Sequence, residues 1–290
     1  MKIKGDRYMK KMTDCYELSN GIKIPCIGFG TWQAPDGDVA TEAVKAALTA
    51  GYRHIDTAAI YRNEESVGRA IKESGVPREE IFVTTKLWNK CRTYELTYSA
   101  FERSISKLGL DYVDLYLIHW PASPAEYENF NEINLDAWKA MIELYKAGKI
   151  KAIGVSNFLP HHLDALMKTE VAPMVNQIEL HPGYTQTETV EYCKKNGIIV
   201  EAWSPLGSGR VLSDKRLLKI AEKYGKSVAQ ICVRWCLQNG TLPLPKSVTP
   251  SRITENADVF DFEITEEDMN TINSFEVFGE SGFHPDKPGS

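Results

Sequence analysis

The clearest indication of the fold lies in residues 81–119, which have the sequence IFVTTKLWNKCRTYELTYSAFERSISKLGLDYVDLYLIH. Residues 81–87 form a short strand-like run rich in β-branched side chains, and residues 112–119 form a second, mainly apolar run. The segment between them has helical spacing and ends at Gly109, a residue type that commonly terminates helices. Short apolar strands joined by a helix are typical of parallel sheets, so these residues predict a β–α–β unit.

The same alternation extends over most of the chain. Amphipathic segments with helical spacing separate the strand-like runs. The predicted strands are residues 25–30, 53–56, 81–87, 112–119, 150–157, 174–180, 198–205 and 242–247. Strands and helices that alternate in this way predict an α/β protein with a closed (β/α)8 TIM barrel.

A doubly wound open sheet is the main alternative fold. Such a sheet usually carries G-x-G-x-x-G after its first strand. Here the first strand ends in GFGTWQ, which has Gln33 where the last glycine would stand. The barrel therefore remains the prediction, as a single domain over residues 14–290.

The N-terminal residues precede the first barrel strand. Two short β-prone pieces flank Asn20 and Gly21, and this dipeptide favours a β-hairpin with a type I′ turn. Residues 1–13 are charged and are expected to form a flexible leader, in which Met1, Met9 or Met12 could be the true start.

The composition restricts the classes of function. A net charge of −5 over 290 residues argues against nucleic acid or an anionic membrane as partner, because both require a basic surface. No segment approaches a membrane span, and no signal peptide is evident. The six cysteines are scattered and form no C-x-x-C, which indicates reduced thiols. We therefore expect a cytoplasmic monomer that binds no metal and acts on a small molecule.

Polar and aromatic residues fall where the predicted strands end. Reactive groups in such barrels come from the carboxyl ends of the strands. The residues at these ends are Gly30, Thr31, Trp32, Asp56, Lys86, His119, Ser156, Asn157, Gln177, Trp203, Ser204, Lys246 and Ser247. Any one of them could simply mark a strand leaving the core. Charged residues after apolar runs are costly unless they are paired, so the set as a whole indicates a site.

Three of these residues, together with the nearby Tyr61, suggest one reaction. Asp56, Lys86 and His119 end neighbouring strands, and Tyr61 follows Asp56 closely enough to fold back over it. Such a set suits proton donation to a carbonyl oxygen that is becoming an alkoxide. We expect Lys86 to lower the pKa of Tyr61 and Asp56 to keep Lys86 charged. His119 would orient the carbonyl or share the proton.

Other chemistries fit the sequence less well. A metal-dependent hydrolase would require a His-x-His at a strand end, and none is present there. A retaining glycosidase would require two facing carboxylates, for which only Asp56 with Glu179 or Glu201 is available. A Schiff base on Lys86 is disfavoured because pairing with Asp56 would keep the amine charged.

The last predicted strand leads into a possible anion site. LPLPKSVTPSRITEN, residues 242–256, places Lys246, Ser247, Thr249 and Arg252 around a strand-to-helix turn. Cations, hydroxyls and helix N–H groups together suit a phosphorylated ligand, although a solvated basic helix start is an equal alternative. Trp203 could stack on a ring of that ligand or belong to the core.

Several motifs resemble those of the aldo-keto reductases. They are GFGTW, HIDTAAIYRNEESVG, FVTTKLW, DLYLIHWP, IGVSNF, NQIELHP, WSPLG and PKSVTPSRITEN, and they span about residues 15–275. The resemblance implies a (β/α)8 barrel that reduces aldehydes or ketones with NADPH. It also implies that Tyr61 is the general acid of a tetrad completed by Asp56, Lys86 and His119.

The resemblance further implies binding roles. Ser156, Asn157 and Gln177 would hold the nicotinamide carboxamide, and Trp203 would stack on its ring. The remaining cofactor-binding residues would be Gly30, Thr31, Ser204, Leu206, Lys246, Ser247, Val248, Thr249, Arg252, Glu255 and Asn256. Of these, Lys246, Ser247 and Arg252 resemble the clamp on the 2′-phosphate, and Glu255 and Asn256 the adenine contacts. Trp32, Trp88 and Trp120 would line the substrate pocket.

Two segments are short relative to the family, namely residues 120–134 and the C-terminal tail from residue 274. The chain thereby resembles the compact bacterial branch of diketogluconate and methylglyoxal reductases. A regulatory or sensor protein that binds NADP(H) on the same barrel is the alternative function.

Overall fold

The structure, a computed structural model, describes residues 9–287. The strands are β1 Cys15–Glu17, β2 Lys23–Pro25, β3 Phe29–Gly30, β4 His54–Asp56, β5 Phe82–Leu87, β6 Val113–Ile118, β7 Ile150–Ser156, β8 Val175–Glu179, β9 Ile199–Trp203 and β10 Leu242–Leu244. The α-helices are α1 Asp38–Thr49, α2 Glu64–Glu73, α3 Tyr94–Leu108, α4 Phe130–Lys146, α5 Pro160–Leu166, α6 Thr187–Lys195, α7 Lys215–Tyr224, α8 Val228–Gln238, α9 Pro250–Ala257 and α10 Glu266–Asn273. Within residues 9–287, no helix combines the length and apolar character needed to cross a bilayer.

Strands β3 to β10 form one parallel sheet in chain order. Two backbone hydrogen bonds join its first and last members, from Gly28 N to the carbonyl of Pro243 (3.0 Å) and from Gly30 N to that of Pro245 (3.1 Å). These bonds close the sheet, which confirms the predicted (β/α)8 barrel. Closure places the carboxyl ends of all eight strands around one opening.

The core fills the space between the barrel and its helices. All residues of β5 and β6 are buried, as expected for strands covered on both faces. Phe101 of α3 packs edge-on against Tyr116 of β6, with ring centroids 5.3 Å apart. Helix α2 approaches α3 at Gly68, where an added Cβ would lie 2.0 Å from the carbonyl oxygen of Leu108. This contact admits only glycine, and it fixes the position of α2 against α3.

The N-terminal hairpin is present, but its turn differs from the prediction. β1 and β2 pair antiparallel, as predicted. Gly21 has a φ of 83°, but the φ of Asn20 is not positive. A type I′ turn requires a positive φ at both central residues. The amide of Gly21 donates to the carbonyl of Leu18 (2.8 Å), as in a type I turn followed by a bulge. Asn20 is instead held by its side chain, which donates to the carbonyl of Lys151 in β7 (3.0 Å).

The described part of the predicted leader is packed against the barrel rather than loose. Met9 and Met12 contact the hydrophobic core, and the carbonyl of Met9 accepts a hydrogen bond from Arg234 of α8 (3.0 Å). Residues 1–8 lie outside the described residues, so the prediction for them has no structural counterpart. The division into one domain over residues 14–290 stays a prediction.

Candidate active site

The loop after β4 folds back over the end of its own strand. Residues Ala59–Tyr61 form a single 3-10 turn, in which the amide of Tyr61 donates to the carbonyl of Ala58 (2.9 Å). Arg62 then adopts the left-handed conformation with a φ of 59°, which redirects the chain into α2. The hydroxyl of Tyr61 is thereby brought to the residues at the ends of β4 and β5.

A buried lysine lies beneath this hydroxyl. Lys86 Nζ lies 2.6 Å from Asp56 Oδ1, 3.0 Å from the carbonyl oxygen of Thr57 and 3.4 Å from Tyr61 Oη. These three oxygens match the three N–H donors of an ammonium group. Lys86 has no exposed surface, so its position and charge depend on these partners. The predicted convergence of Asp56, Tyr61 and Lys86 is therefore observed.

The charges of this group are set by burial and pairing. Burial alone would lower the pKa of Lys86, but the charge of Asp56 and the proximity of Tyr61 raise it above its ordinary value. Burial raises the pKa of Tyr61, and the positive charge of Lys86 only partly offsets this increase. The expectation that Lys86 would leave Tyr61 with a lowered pKa is wrong, because desolvation of the phenolate outweighs the attraction. Tyr61 is thus a protonated phenol and a possible proton donor.

His119 completes the set from the end of β6. Its ring stands edge-on to Tyr61, with ring centroids 5.6 Å apart, and edge-on to Trp88 at 5.7 Å. Burial, and then the charge of Lys86, hold the pKa of His119 well below its ordinary value. A neutral imidazole beside the phenol can orient a carbonyl oxygen without competing for the negative charge of Asp56.

The ends of β7 and β9 are tied together by side chains. Asn157 Nδ2 donates to the carbonyl of His119 (3.0 Å), and its Oδ1 accepts from Trp203 Nε1 (2.8 Å). Asn157 and Ser204 both have positive φ, at 63° and 47°. Such strained backbone conformations cost on the order of 1–3 kcal/mol each and concentrate at functional sites. The indole of Trp203 is therefore held in one orientation at the cavity wall.

A second buried acid underlies the site. Glu201 of β9 has no exposed surface, and its Oε2 accepts a hydrogen bond from Gln177 Nε2 (2.7 Å). The same amide nitrogen donates to Asp56 Oδ2 (2.8 Å). Burial, followed by the charge of Asp56, raises the pKa of Glu201 to about 8. In the sequence, Glu201 was identified only as a candidate glycosidase carboxylate, although a charged residue within an apolar strand already indicated a buried, paired acid.

Most of the predicted site residues line one cavity of about 1230 Å³ at the carboxyl ends of the strands. The predicted residues that line it are Gly30, Trp32, Asp56, Tyr61, Trp88, His119, Trp120, Ser156, Asn157, Gln177, Trp203, Ser204, Leu206, Lys246, Ser247, Arg252, Glu255 and Asn256. Further lining residues, which were not predicted from the sequence, include Gln33, Ile60, Ser208, Leu212, Glu222, Lys226 and Phe283.

Four predicted residues do not line this cavity. Lys86 and Thr31 lie beneath its floor, where Thr31 Oγ1 donates to the carbonyl of Asp56 (2.9 Å). Val248 and Thr249 are exposed at the start of α9, beyond the lining. The composition of the cavity lining therefore does not support the direct cofactor contacts predicted for Thr31, Val248 and Thr249.

The cavity extends from these groups to a basic end near α9. Lys246 Nζ donates to the carbonyl of Gln33 (3.2 Å), and burial lowers the pKa of Lys246. The amide of Thr249 donates to Ser247 Oγ (3.1 Å), which shapes the turn before the helix. The side chain of Arg252 is exposed, and it has no hydrogen bond or ion pair to any residue in the range 9–287. Its guanidinium is available for an anionic group.

Comparison with known proteins identifies the family of this chain. Residues 26–277 match the family described as the aldo/keto reductase family. The chain belongs to the aldo/keto reductase family. It is 52% identical over 277 residues to the glyoxal reductase of Bacillus subtilis (strain 168), covering 95% of this chain and 98% of that protein. The methylglyoxal reductase DkgA of Escherichia coli (strain K12) is 46% identical over 276 residues, with 94% and 97% covered.

Solved structures extend this likeness to the fold. A Gox0644 variant crystallised in complex with NADPH superposes with a TM-score of 0.88 at 44% identity, covering 96% of this chain and 99% of that chain. The resemblance found in the sequence is thus confirmed. The aldo/keto reductase described here is an oxidoreductase that reduces carbonyl groups.

The C-terminal tail of this aldo/keto reductase covers one side of the cavity. Ser281 donates to Glu179 through its amide (2.9 Å to Oε1) and its hydroxyl (2.6 Å to Oε2). Phe283 then reaches the cavity wall, with its ring centroid 6.2 Å from that of Trp120. The sequence indicated only that the tail is short, and the entry of Phe283 into the cavity wall was not predicted from it.

Within residues 9–287, His161, His162 and Asp286 have the spacing of metal ligands. His162 Nδ1 accepts a hydrogen bond from the amide of Leu159 (3.1 Å) and so caps α5. The proton of neutral His162 must then reside on Nε2, which lies 3.0 Å from Asp286 Oδ1. A metal would need that nitrogen as a lone-pair donor. His161 Nε2 also lies within hydrogen-bond distance of Asp286 Oδ1 (3.3 Å), so the group joins the tail to α5.

Proposed function

We propose that this chain reduces small 2-oxoaldehydes such as glyoxal and methylglyoxal to hydroxyaldehydes or hydroxyketones. The names of two close relatives, a glyoxal reductase and a methylglyoxal reductase, support this class of substrate. The reductant is NADPH, in agreement with the NADPH complex of the similar Gox0644 variant. A small dicarbonyl also fits a substrate end that is enclosed by Trp32, Trp88, Trp120 and Phe283.

The position of Tyr61 beside Lys86 carries this proposal. When bound, NADPH supplies the hydride that reaches the carbonyl carbon. Tyr61 Oη donates the proton to the carbonyl oxygen, and Lys86, 3.4 Å away, stabilises the phenolate that remains. Asp56 keeps the ammonium charged and in place. His119 orients the carbonyl oxygen, and solvent returns the proton to Tyr61.

The residues along the cavity are suited to the cofactor. Gln177 Oε1 accepts no hydrogen bond within the described chain and belongs to a side chain that lines the cavity, so it can accept from a carboxamide NH₂. Ser156 and Asn157 would complete the carboxamide contacts, with Trp203 against the ring. Arg252 would pair with the 2′-phosphate. The remaining proposed contacts are Gly30, Ser204, Leu206, Lys246, Ser247, Glu255 and Asn256.

The proposal includes one barrel domain that acts as a monomer in the cytoplasm. The buried thiols Cys232 and Cys236 support a reducing compartment, since they are free and packed in the core. The regulatory alternative has no observation that favours it, because the groups needed for proton transfer lie together at one cavity.

Deuterium transfer tests this function. NADPH deuterated at C4 is incubated with the enzyme and methylglyoxal, glyoxal, a diketogluconate or an aromatic aldehyde. We expect NADPH oxidation with kcat/KM highest for the 2-oxoaldehydes, and deuterium on the new carbinol carbon by mass spectrometry. Oxidation of NADPH without deuterium in the product would contradict direct hydride transfer. No oxidation with any of these carbonyls would contradict the function itself.

A further inference from the structure

The side chain of Gln177 is held from inside the barrel by two acids. Gln177 in β8 is directly opposite Glu201 in β9, and Asp56 reaches it from β4 across the barrel. Its Nε2 donates to Asp56 Oδ2 at 2.8 Å and to Glu201 Oε2 at 2.7 Å. An amide nitrogen has two N–H donors, so both are used within the protein.

This arrangement decides which end of the amide faces the cavity. Asp56 is the ionised partner of Lys86, and an ionised carboxylate can only accept hydrogen bonds. The nitrogen of Gln177 must therefore point inward, and Oε1 is left toward the cavity. With Asp56 alone as partner, only one of the two N–H groups would be bound, and the amide could rotate.

From this network we infer that Glu201 is a positioning residue of the reduction, which locks Gln177 so that its amide oxygen accepts from the nicotinamide carboxamide. The inference rests on the proposed function, because it assigns to Gln177 a contact with the cofactor. Glu201 itself has no exposed surface and does not line the cavity.

The charge state of Glu201 agrees with this role. Its pKa is raised to about 8, chiefly by burial and then by the charge of Asp56, so the group is neutral at pH 7. His54, whose Nε2 lies 3.8 Å from Glu201 Oε1, is also neutral, because burial lowers its pKa to about 3. Asp56 and Lys86 then remain a balanced pair, and Glu201 adds a hydrogen-bond acceptor without adding a charge.

A double-mutant cycle separates positioning from a merely structural role. Glu201→Leu removes the acceptor, and we expect about a tenfold lower kcat/KM and weaker NADPH binding, as for the loss of one buried hydrogen bond. Glu201→Gln keeps an uncharged acceptor and should stay within about twofold of the wild type. In the Gln177→Leu background, Glu201→Leu should change kcat/KM by less than about twofold, because its target is already absent.

Glu64 provides the matched control. It is also a buried acid, and its Oε1 accepts from Thr85 Oγ1 (2.7 Å) without contacting Gln177. Any loss caused by Glu64→Leu should therefore be the same in the wild-type and Gln177→Leu backgrounds. Equal losses from Glu201→Leu in both backgrounds, or failure of Glu201→Gln to restore activity, would overturn the inference.

A measurement on the ligand-free protein distinguishes this inference from the proposed function. Side-chain amide protons of Gln177 are followed by NMR in protein labelled with ¹⁵N-glutamine. We expect slow exchange in the wild type and in Glu201→Gln, and at least about tenfold faster exchange in Glu201→Leu. Unchanged exchange in Glu201→Leu would refute the positioning role. The expected exchange pattern in a protein that oxidises no NADPH would refute the function and leave the positioning of Gln177 intact.

Discussion

The ammonium of Lys86 lies 2.6 Å from Oδ1 of Asp56, and both side chains are buried at the ends of neighbouring strands. Each charge alone would be costly in this position, whereas together they form a fixed pair. Because the carbonyl of Thr57 takes a second N–H of the ammonium, the third is directed to Tyr61. Asp56 thus holds the positive charge of Lys86 next to the phenol of Tyr61, and the phenol stays protonated.

Replacement of Tyr61 by phenylalanine tests the proton donor. We expect kcat for methylglyoxal to fall by about 10²–10⁴-fold, because the hydroxyl that lies beside Lys86 is lost. NADPH affinity, measured by quenching of protein fluorescence, should stay within about twofold. Tyr94→Phe is the control, since the hydroxyl of Tyr94 binds Glu143 in the helix layer (2.6 Å). Near-normal turnover of Tyr61→Phe would remove the proposed acid.

Replacement of Arg252 by alanine tests the preference for NADPH. A charge-assisted contact with the 2′-phosphate is worth about 1.5–3 kcal/mol, so we expect Kd for NADPH to rise by about 10- to 100-fold. Kd for NADH should change by less than about twofold, since it lacks that phosphate. Exposed Lys168, away from the cavity, provides a control for the loss of one positive charge through Lys168→Ala. Equal weakening for both cofactors would argue against a contact with the 2′-phosphate.

The buried acid Glu201 predicts a decrease in stability with rising pH. Its folded pKa of about 8, caused by burial and then by the charge of Asp56, lies above the ordinary value of 4.5, so unfolding at a pH between these values releases its proton. The contribution of Glu201 to the free energy of unfolding is fully present below pH 4.5 and is lost as pH rises to about 8. His54, His119 and His162, whose pKa values burial lowers, act in the opposite direction as pH falls through 6.5.

The difference between the wild type and Glu201→Gln from pH 6.5 to 8 isolates Glu201, because the buried histidines titrate equally in both proteins. We expect the free energy of unfolding of the wild type to fall by about 1–2 kcal/mol relative to that of Glu201→Gln across this window, from about 1.4 kcal/mol per pH unit. Glu201→Gln cannot titrate at this position, so its pH dependence reports only the other groups. Urea unfolding at both ends of the window measures the difference. The same slope in both proteins would mean that Glu201 is ionised throughout.

Replacement of Phe283 by alanine tests the cover over the substrate end. Loss of the contact with Trp120 should raise KM for methylglyoxal by about 2- to 10-fold, the range for one aromatic pair. Bulky aromatic aldehydes should gain in kcat/KM relative to methylglyoxal, because the opening widens. Val277→Ala is the control, since Val277 is an exposed apolar residue of the same tail outside the cavity wall. An unchanged ratio between small and bulky substrates would show that Phe283 does not restrict the site.

The order of strands and helices, and the residues that end each strand, could be predicted from the sequence alone. Apolar runs alternating with amphipathic segments permit few architectures, and parallel strands in a barrel bring their carboxyl ends together. The positions of Asp56, Lys86 and His119 follow from this rule. The family motifs added the cofactor and the reaction.

Contacts between residues distant in the chain were decided only by the tertiary structure. Gln177 is fixed by Glu201 and by Asp56, which lies across the barrel, and Phe283 enters the cavity because Ser281 is bound to Glu179. The pKa of Tyr61 is likewise a property of the folded protein, because it depends on how much water the surrounding atoms exclude. Local pattern fixes which side of a strand a residue occupies, whereas burial and long-range partners fix its charge and orientation.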